Sequence, residues 1–240
     1  MFDLIWWGCA IALFFGCLIQ SAMGFGMAIL AAPIIVLLRP EWVPVILTVT
    51  ALSLSLINVW SLHSFVQWRS LRLAVITRIP GTILGAWILT IIATHVLQLT
   101  VASIVFLAVL ISAYGKPFEP TPARVGLAGF ISGLMGTTTS IGGPPMALIM
   151  QHSSGNSIRA NLAVYFTFSC VMSLMSYQAI GLLNSDLWLA SLSFLPVAIF
   201  GFLAGKLARQ WVDNRFRSLL LILCTASASV AFIGALAFNH

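Results

Sequence analysis

The chain has 240 residues, of which 60% are hydrophobic and only 7% charged, and its mean hydropathy is +1.08. Those values exclude a water-soluble globular domain and describe an integral membrane protein. The formal net charge of +6 does not signal nucleic acid, because the basic residues fall in short loops between apolar segments, with no basic stripe or stacking platform.

The first residues, Met-Phe-Asp-Leu-Ile-Trp-Trp, lack a basic n-region and an evident cleavage site, so the segment reads as retained. Residues 4–22 predict an apolar helix about 28 Å long and residues 27–38 one of about 18 Å. The second is too short for a ~30 Å hydrocarbon core. Between them lies a polar break, Gln20-Ser21-Ala22-Met23-Gly24-Phe25-Gly26. Residues 42–62, 72–94 and 96–114 each predict a full span. Lys116-Pro117-Phe118-Glu119-Pro120-Thr121-Pro122 is the Pro-rich polar linker. It divides a first repeat, 1–114, from a second, 124–240, with 115–123 as a cytoplasmic linker.

The order then recurs: a short segment at 124–136, a break, a shorter segment at 144–152, and spans at 160–181, 187–208 and 216–238. The second break is Gly136-Thr137-Thr138-Thr139-Ser140-Ile141-Gly142-Gly143-Pro144-Pro145. Its glycines and prolines remove helix propensity and backbone donors, and lipid tolerates such a break only where it is buried in protein or lines a wet cavity. A constant offset of 116 residues places Ala12 on Ala128, Phe14 on Phe130, Leu18 on Leu134, Gly26 on Gly142, Leu71 on Leu187, Pro80 on Pro196 and Gly85 on Gly201. Broken segments at corresponding places in two halves point to a transporter's binding site.

The basic residues set the topology. If each broken pair crosses twice, or re-enters and returns to its starting face, each half reverses sides. Arg69, Arg72, Arg78, Lys116, Arg124, Arg159, Lys206, Arg209, Arg215 and Arg217 then share one face against Arg39 alone. If each pair were one interrupted span, the basic residues would divide almost evenly. The fold expected is therefore an all-α polytopic membrane protein of two inverted repeats. Each repeat is a broken or re-entrant helix pair followed by three transmembrane helices, and both termini are on the non-cytoplasmic side. Parity does not separate ten passes from six passes plus two re-entrant pairs.

The five acidic residues, Asp3, Glu41, Glu119, Asp186 and Asp213, all fall in a terminus or loop. That disfavours a metal, Na⁺ or organic-cation site and a carboxylate proton relay. An anion fits better, because broken helices offer free N–H groups and positive dipole ends. Candidate ligands are the hydroxyls of Ser21, Thr137, Thr138, Thr139 and Ser140 and the backbone around Gly24, Gly26, Gly142 and Gly143. Gln20, Gln151, Asn161, Tyr165 and Asn58 are further polar candidates. For each, the alternative is that the side chain only satisfies freed backbone groups or bonds a neighbouring helix. Arg78, seven residues into its predicted span, reads as an arginine snorkelling to the cytoplasmic surface or as a lure or gate for an anion. His152 is a conceivable proton carrier or an ordinary interfacial histidine. Cys9, Cys17, Cys170 and Cys224 show no pair or metal spacing and read as small buried hydrophobes, with Cys17 close to the first break. Gly81/Gly85, Gly129/Gly133 and Gly201/Gly205 have the GxxxG spacing of close helix contact, which permits a homodimer without requiring one.

Gly24-Phe25-Gly26 followed by Pro33, and Gly-Phe-Ile-Ser-Gly-Leu-Met-Gly (129–136) leading into Ile141-Gly142-Gly143-Pro144, resemble the sulfite exporter TauE/SafE family of membrane transporters. The resemblance covers nearly the whole chain. The chain departs from the family's usual run of three glycines, carrying Gly-Phe-Gly in one half and Gly-Gly-Pro-Pro in the other. The resemblance implies secondary export or exchange of small anions such as sulfite, sulfonates or other organosulfur acids across a bacterial-type inner membrane, without cofactor.

The combined reading is a secondary transporter, not an enzyme. It has a midplane anion site between the two breaks, alternating access by one repeat rocking against the other, and small anions and lipid as its partners. The rivals are a channel-like anion pore, a membrane thiol-redox or assembly protein, and an intramembrane hydrolase. The last two lack a cysteine pair and a buried base beside the hydroxyls.

Overall fold

The computed structural model describes residues 3–93, 96, 100, 103, 119–150 and 153–213. The helices are α1 (Leu4–Met23), α2 (Met27–Leu38), α3 (Val45–Leu62), α4 (Trp68–Ile91), α5 (Pro122–Thr139), α6 (Gly143–Ile149), α7 (Gly155–Ala179), α8 (Ser185–Ser193) and α9 (Leu195–Asp213). There is no strand among the described residues. Polar caps fix several starts. Asp3 accepts from Trp6 N, Thr121 from Arg124 N with Pro122 at the first helical position, Ser154 from Ser157 N, and Asn184 from Leu187 N. Five stretches are long and apolar enough to cross a membrane: Leu4–Met23, Val45–Phe65, Trp68–Ile91, Gly155–Ala179 and Ser185–Arg209. The last joins α8 and α9 across Phe194. The outer faces of these helices are apolar, as with Ile76, Ile83, Trp87, Phe200 and Leu207, which suits contact with lipid.

The GxxxG glycines set the closest helix contacts. Gly81 and Gly85 of α4 lie against Phe130 and Leu134 of α5, while Gly129 and Gly133 of α5 lie against Ala74 and Arg78 of α4. Both sets rise together, so α4 and α5 run parallel. Likewise Gly201 and Gly205 of α9 lie against Phe14, Cys17 and Leu18 of α1, again in parallel. The third pairing is antiparallel: Val45 and Val49 at the start of α3 share a core cluster with Leu174 and Tyr177 at the end of α7. Two polar contacts complete the directions. Arg209 joins the ends of α1, α3 and α9 by bonding Ser21 O at 3.1 Å and Asn58 Oδ1 at 2.8 Å. Gln67 N donates to Asn161 Oδ1 at 2.7 Å, bringing together the starts of α4 and α7. Helices α1, α3, α8 and α9 therefore run one way, and α4, α5 and α7 the other.

The first broken pair doubles back on itself. Arg39, just beyond α2, forms a 2.9 Å ion pair with Asp3, just before α1, so the α1–α2 hairpin returns to the end at which it began. The second pair also turns back: Ser132 Oγ of α5 donates to the carbonyl of Gly142 at 2.6 Å. Observed helices extend past the predicted segments at several ends, among them α4, which begins at Trp68, α7, which begins at Gly155, and α9, which ends at Asp213. The predicted span 96–114 apart from residues 96, 100 and 103, the predicted span 216–238, residues 115–118 of the linker, and the basic residues Lys116, Arg215 and Arg217 lie outside the described residues.

Candidate functional site

The two breaks have the same backbone signature. Gly24 ends α1 in the left-handed region with φ 93°, and its N–H returns to Gln20 O. Ser140, 116 positions later, ends α5 with φ 62°, and its N–H returns to Gly136 O. A left-handed serine is uncommon, since its Cβ is crowded there. Its hydroxyl is accordingly tied down, donating to Pro44 O at 2.9 Å and lying 3.0 Å from Thr48 Oγ1. Gly26, with φ 113°, then restarts the chain into α2.

Both breaks open onto one cavity of about 40 Å³. One wall comes from Gln20, Gly26, Met27, Ala28, Ile29, Thr48 and Ala51. The other comes from Arg78, Gly136, Ser140–Gly143, Phe166, Ser169, Cys170 and Ser173. Polar groups there are hydroxyls, one amide and one guanidinium, and none of the lining residues is acidic.

Arg78 does not snorkel. Its side chain turns inward and is only 2% exposed. Nη1 donates to Ser132 O at 2.8 Å, Ser132 Oγ at 3.1 Å and Tyr165 Oη at 3.3 Å, and the guanidinium carbon lies 5.5 Å from the Tyr165 ring centre. Nη2 lies along Gly136, where a Cβ would approach it to 2.8 Å. Nε is buried without a partner among the described residues.

Of the predicted site residues, Gln20, Gly26, Ser140, Gly142, Gly143 and Arg78 meet at the cavity, and Tyr165 joins them through Arg78. The others sit behind this layer. Ser21 Oγ donates to Phe202 O at 2.9 Å, fastening α1 to α9. Gly24 packs against Arg159. Thr137 Oγ1 lies 3.0 Å from Ser173 Oγ. Thr138 and Thr139 bond back to the carbonyls of Leu134 and Met135 at 2.9 and 2.8 Å, which is the backbone-satisfying alternative for a hydroxyl beside a break. Asn161 and Asn58 hold Gln67 and Arg209. Gln151, His152 and Cys224 lie outside the described residues. Cys9, Cys17 and Cys170 are free and buried, and no cluster with metal-ligand character occurs among the described residues.

The residues missed are Thr48, Ser132, Ser169 and Ser173. The last two carried a legible signal. Asn161, Tyr165, Ser169, Ser173 and Tyr177 form an i, i+4 stripe along α7, and all five are buried.

A multi-pass helical membrane protein with two broken helices facing one cavity belongs in class with the membrane transporters. The sequence matches the family Sulfite exporter TauE/SafE over residues 9–231, and the chain belongs to that family of membrane transporters. No curated protein and no solved structure matches it.

Proposed function

We propose that the protein is a secondary transporter that exports or exchanges a small sulfur oxyanion, such as sulfite or a sulfonate, across a bacterial-type inner membrane. The observation that carries this is the meeting of two helix breaks at a single cavity whose polar lining offers donors and no carboxylate. Such a lining repels cations and solvates an oxyanion without a buried countercharge of the wrong sign. Family membership supports the substrate class.

The packing also supports inverted repeats, 1–114 and 124–240. Under the 116-residue offset α1 corresponds to α5, α3 to α7, and α4 to the joined α8 and α9; each helix runs opposite to its counterpart. The paired contacts α4 with α5 and α1 with α9 exchange under the same operation, and the left-handed caps Gly24 and Ser140 coincide. The Asp3–Arg39 face is then non-cytoplasmic, with Arg69, Arg72, Arg124 and Arg159 toward the cytoplasm.

Because each first helix packs on the other repeat, the bodies that move in alternating access are mixed. One is α1–α3 with α8 and α9; the other is α4–α7. The cavity walls divide along that line. The test is saturable uptake of labelled sulfite and of ethanesulfonate into liposomes holding the purified chain, beside Ser140→Ala and Ser173→Ala variants. Saturable flux weakened in these variants supports the carrier; no flux of either anion by folded protein overturns it.

A further inference from the structure

Arg78 stands ten residues after the first residue of α4, about 15 Å along the helix. That is well inside a helix long and apolar enough to cross a membrane. A cation at this depth carries a penalty of several kcal/mol unless it is paired. Among the described residues Arg78 makes no ion pair and its Nε has no partner. Its position is nonetheless built. Ser132 and Tyr165 hold Nη1, Gly136 leaves room for Nη2, and the residue lines the cavity between the breaks. The other inward arginines are committed elsewhere: Arg159 Nε bonds Ala22 O at 2.6 Å, and Arg209 bonds Ser21 O and Asn58.

We propose that the Arg78 guanidinium is the countercharge for the transported anion, which carries one negative charge. This rests on the anion-carrier reading above. Nη1, bonded to Ser132 and Tyr165, fixes the plane of the guanidinium before substrate arrives. The charge count sets the class. One guanidinium and the N-terminal dipole of α2 face no carboxylate, which balances a monoanion, bisulfite or an alkylsulfonate. A dianion would leave a net negative charge at the site. Met27, Ala28, Ile29 and Phe166 supply an apolar wall for a short alkyl tail.

The experiment uses the full chain in liposomes with two probes on the same two-carbon frame: ethanesulfonate, with one charge, and ethane-1,2-disulfonate, with two. Wild type is expected to take up the first and to discriminate against the second by roughly tenfold or more in kcat/KM. Arg78→Gln and Arg78→Lys are expected to raise KM for ethanesulfonate by roughly tenfold to a hundredfold, the range for a lost charged hydrogen bond. A measurement on wild type alone covers misfolding of the variants. As pH rises from slightly acid to slightly alkaline, sulfite loses its second proton, so uptake of total sulfite falls while that of ethanesulfonate stays level. Equal handling of the two probes, an unchanged KM in folded Arg78→Gln, or sulfite uptake that does not fall with pH overturns the proposal while leaving the carrier intact. Transport of none of these anions overturns both.

Discussion

Gly133→Ala tests whether the parallel contact between α4 and α5 is as close as the structure has it. A Cβ on Gly133 would lie 2.5 Å from Arg78 O, 3.0 Å from Thr82 N and 3.1 Å from Arg78 Cγ. A carbon–oxygen contact wants roughly 3.3 Å, so α4 would have to retreat by roughly 0.8 Å. Backbone atoms cannot swing aside, which places the overpacking cost near about 3 kcal/mol. Helix propensity returns about 1 kcal/mol. The net loss of about 2 kcal/mol lowers the apparent Tm in detergent by roughly 4–8 °C for a chain of this size. The same retreat stretches the 2.8 Å bond from Arg78 to Ser132 O out of hydrogen-bonding range, so transport falls as well. Gly126→Ala is the matched control on the same helix. Its Cβ would meet only Thr77 Cγ2 at 3.5 Å, and it should be neutral or raise Tm by up to roughly 4 °C. Equal stability of the two variants would refute the contact.

Tyr177→Phe removes the hydroxyl that donates to Thr137 O at 2.7 Å. The buried carbonyl it leaves costs about 1–3 kcal/mol, read as a lower unfolding temperature; an unchanged one refutes the bond. The Asp3 carboxyl is held below its ordinary range, first by the Trp6 N–H and also by Arg39. A lowered folded pKa gives stability present above the unfolded value and lost as pH falls through the folded one. Asp3→Asn should therefore flatten the acid-side loss of thermal stability below about pH 4; identical profiles for variant and wild type count against the pair. Cys170 lines the cavity, whereas Cys17 is sealed beneath α9. A small water-soluble maleimide should modify Cys170 in preference to Cys17, and ethanesulfonate should slow it, as read by peptide mass; equal labelling of the two would contradict the placement.

The sequence revealed much of the frame through two kinds of signal: hydropathy for the spans, and glycine and proline for the breaks. Both act locally, so they survive without knowledge of packing. The cavity lining was only half legible. Gln20, Gly26, Ser140 and Gly142 announce themselves because they interrupt apolar helices. Thr48 and Ser132 do not, since single hydroxyls within a helix usually bond the carbonyl one turn back. Ser132 instead bonds Arg78 and Gly142, a role created by tertiary contact alone. The choice between the two readings of Arg78 stayed open for a similar reason. Counted from a predicted span starting near Leu71 it lay shallow enough to reach the surface. The helix in fact starts at Trp68, and α5 offers the carbonyl of Ser132 on the inward side.

Hydrogen bonds at both ends of the cavity join the two mixed bodies of the proposed mechanism, and this leads to the sharpest test of it. At the end that the proposed topology makes outer, Ser140 of the α4–α7 body bonds Pro44 O and Thr48 beside and within α3. At the end that it makes inner, Arg159 of α7 bonds Ala22 O at the close of α1. An alternating-access carrier releases one latch while holding the other, so fixing the outer latch must stop it. In a background without the native cysteines, Thr48→Cys/Ser140→Cys spans the bodies and Thr137→Cys/Ser173→Cys lies within one. The native oxygens are 3.0 Å apart in each pair. Oxidising the first pair to a disulfide should abolish uptake reversibly, with reductant restoring it. Oxidising the second should leave uptake at the level of its own reduced form. If the spanning disulfide forms and transport continues, the outer latch does not open in the cycle and the division into these two bodies is wrong.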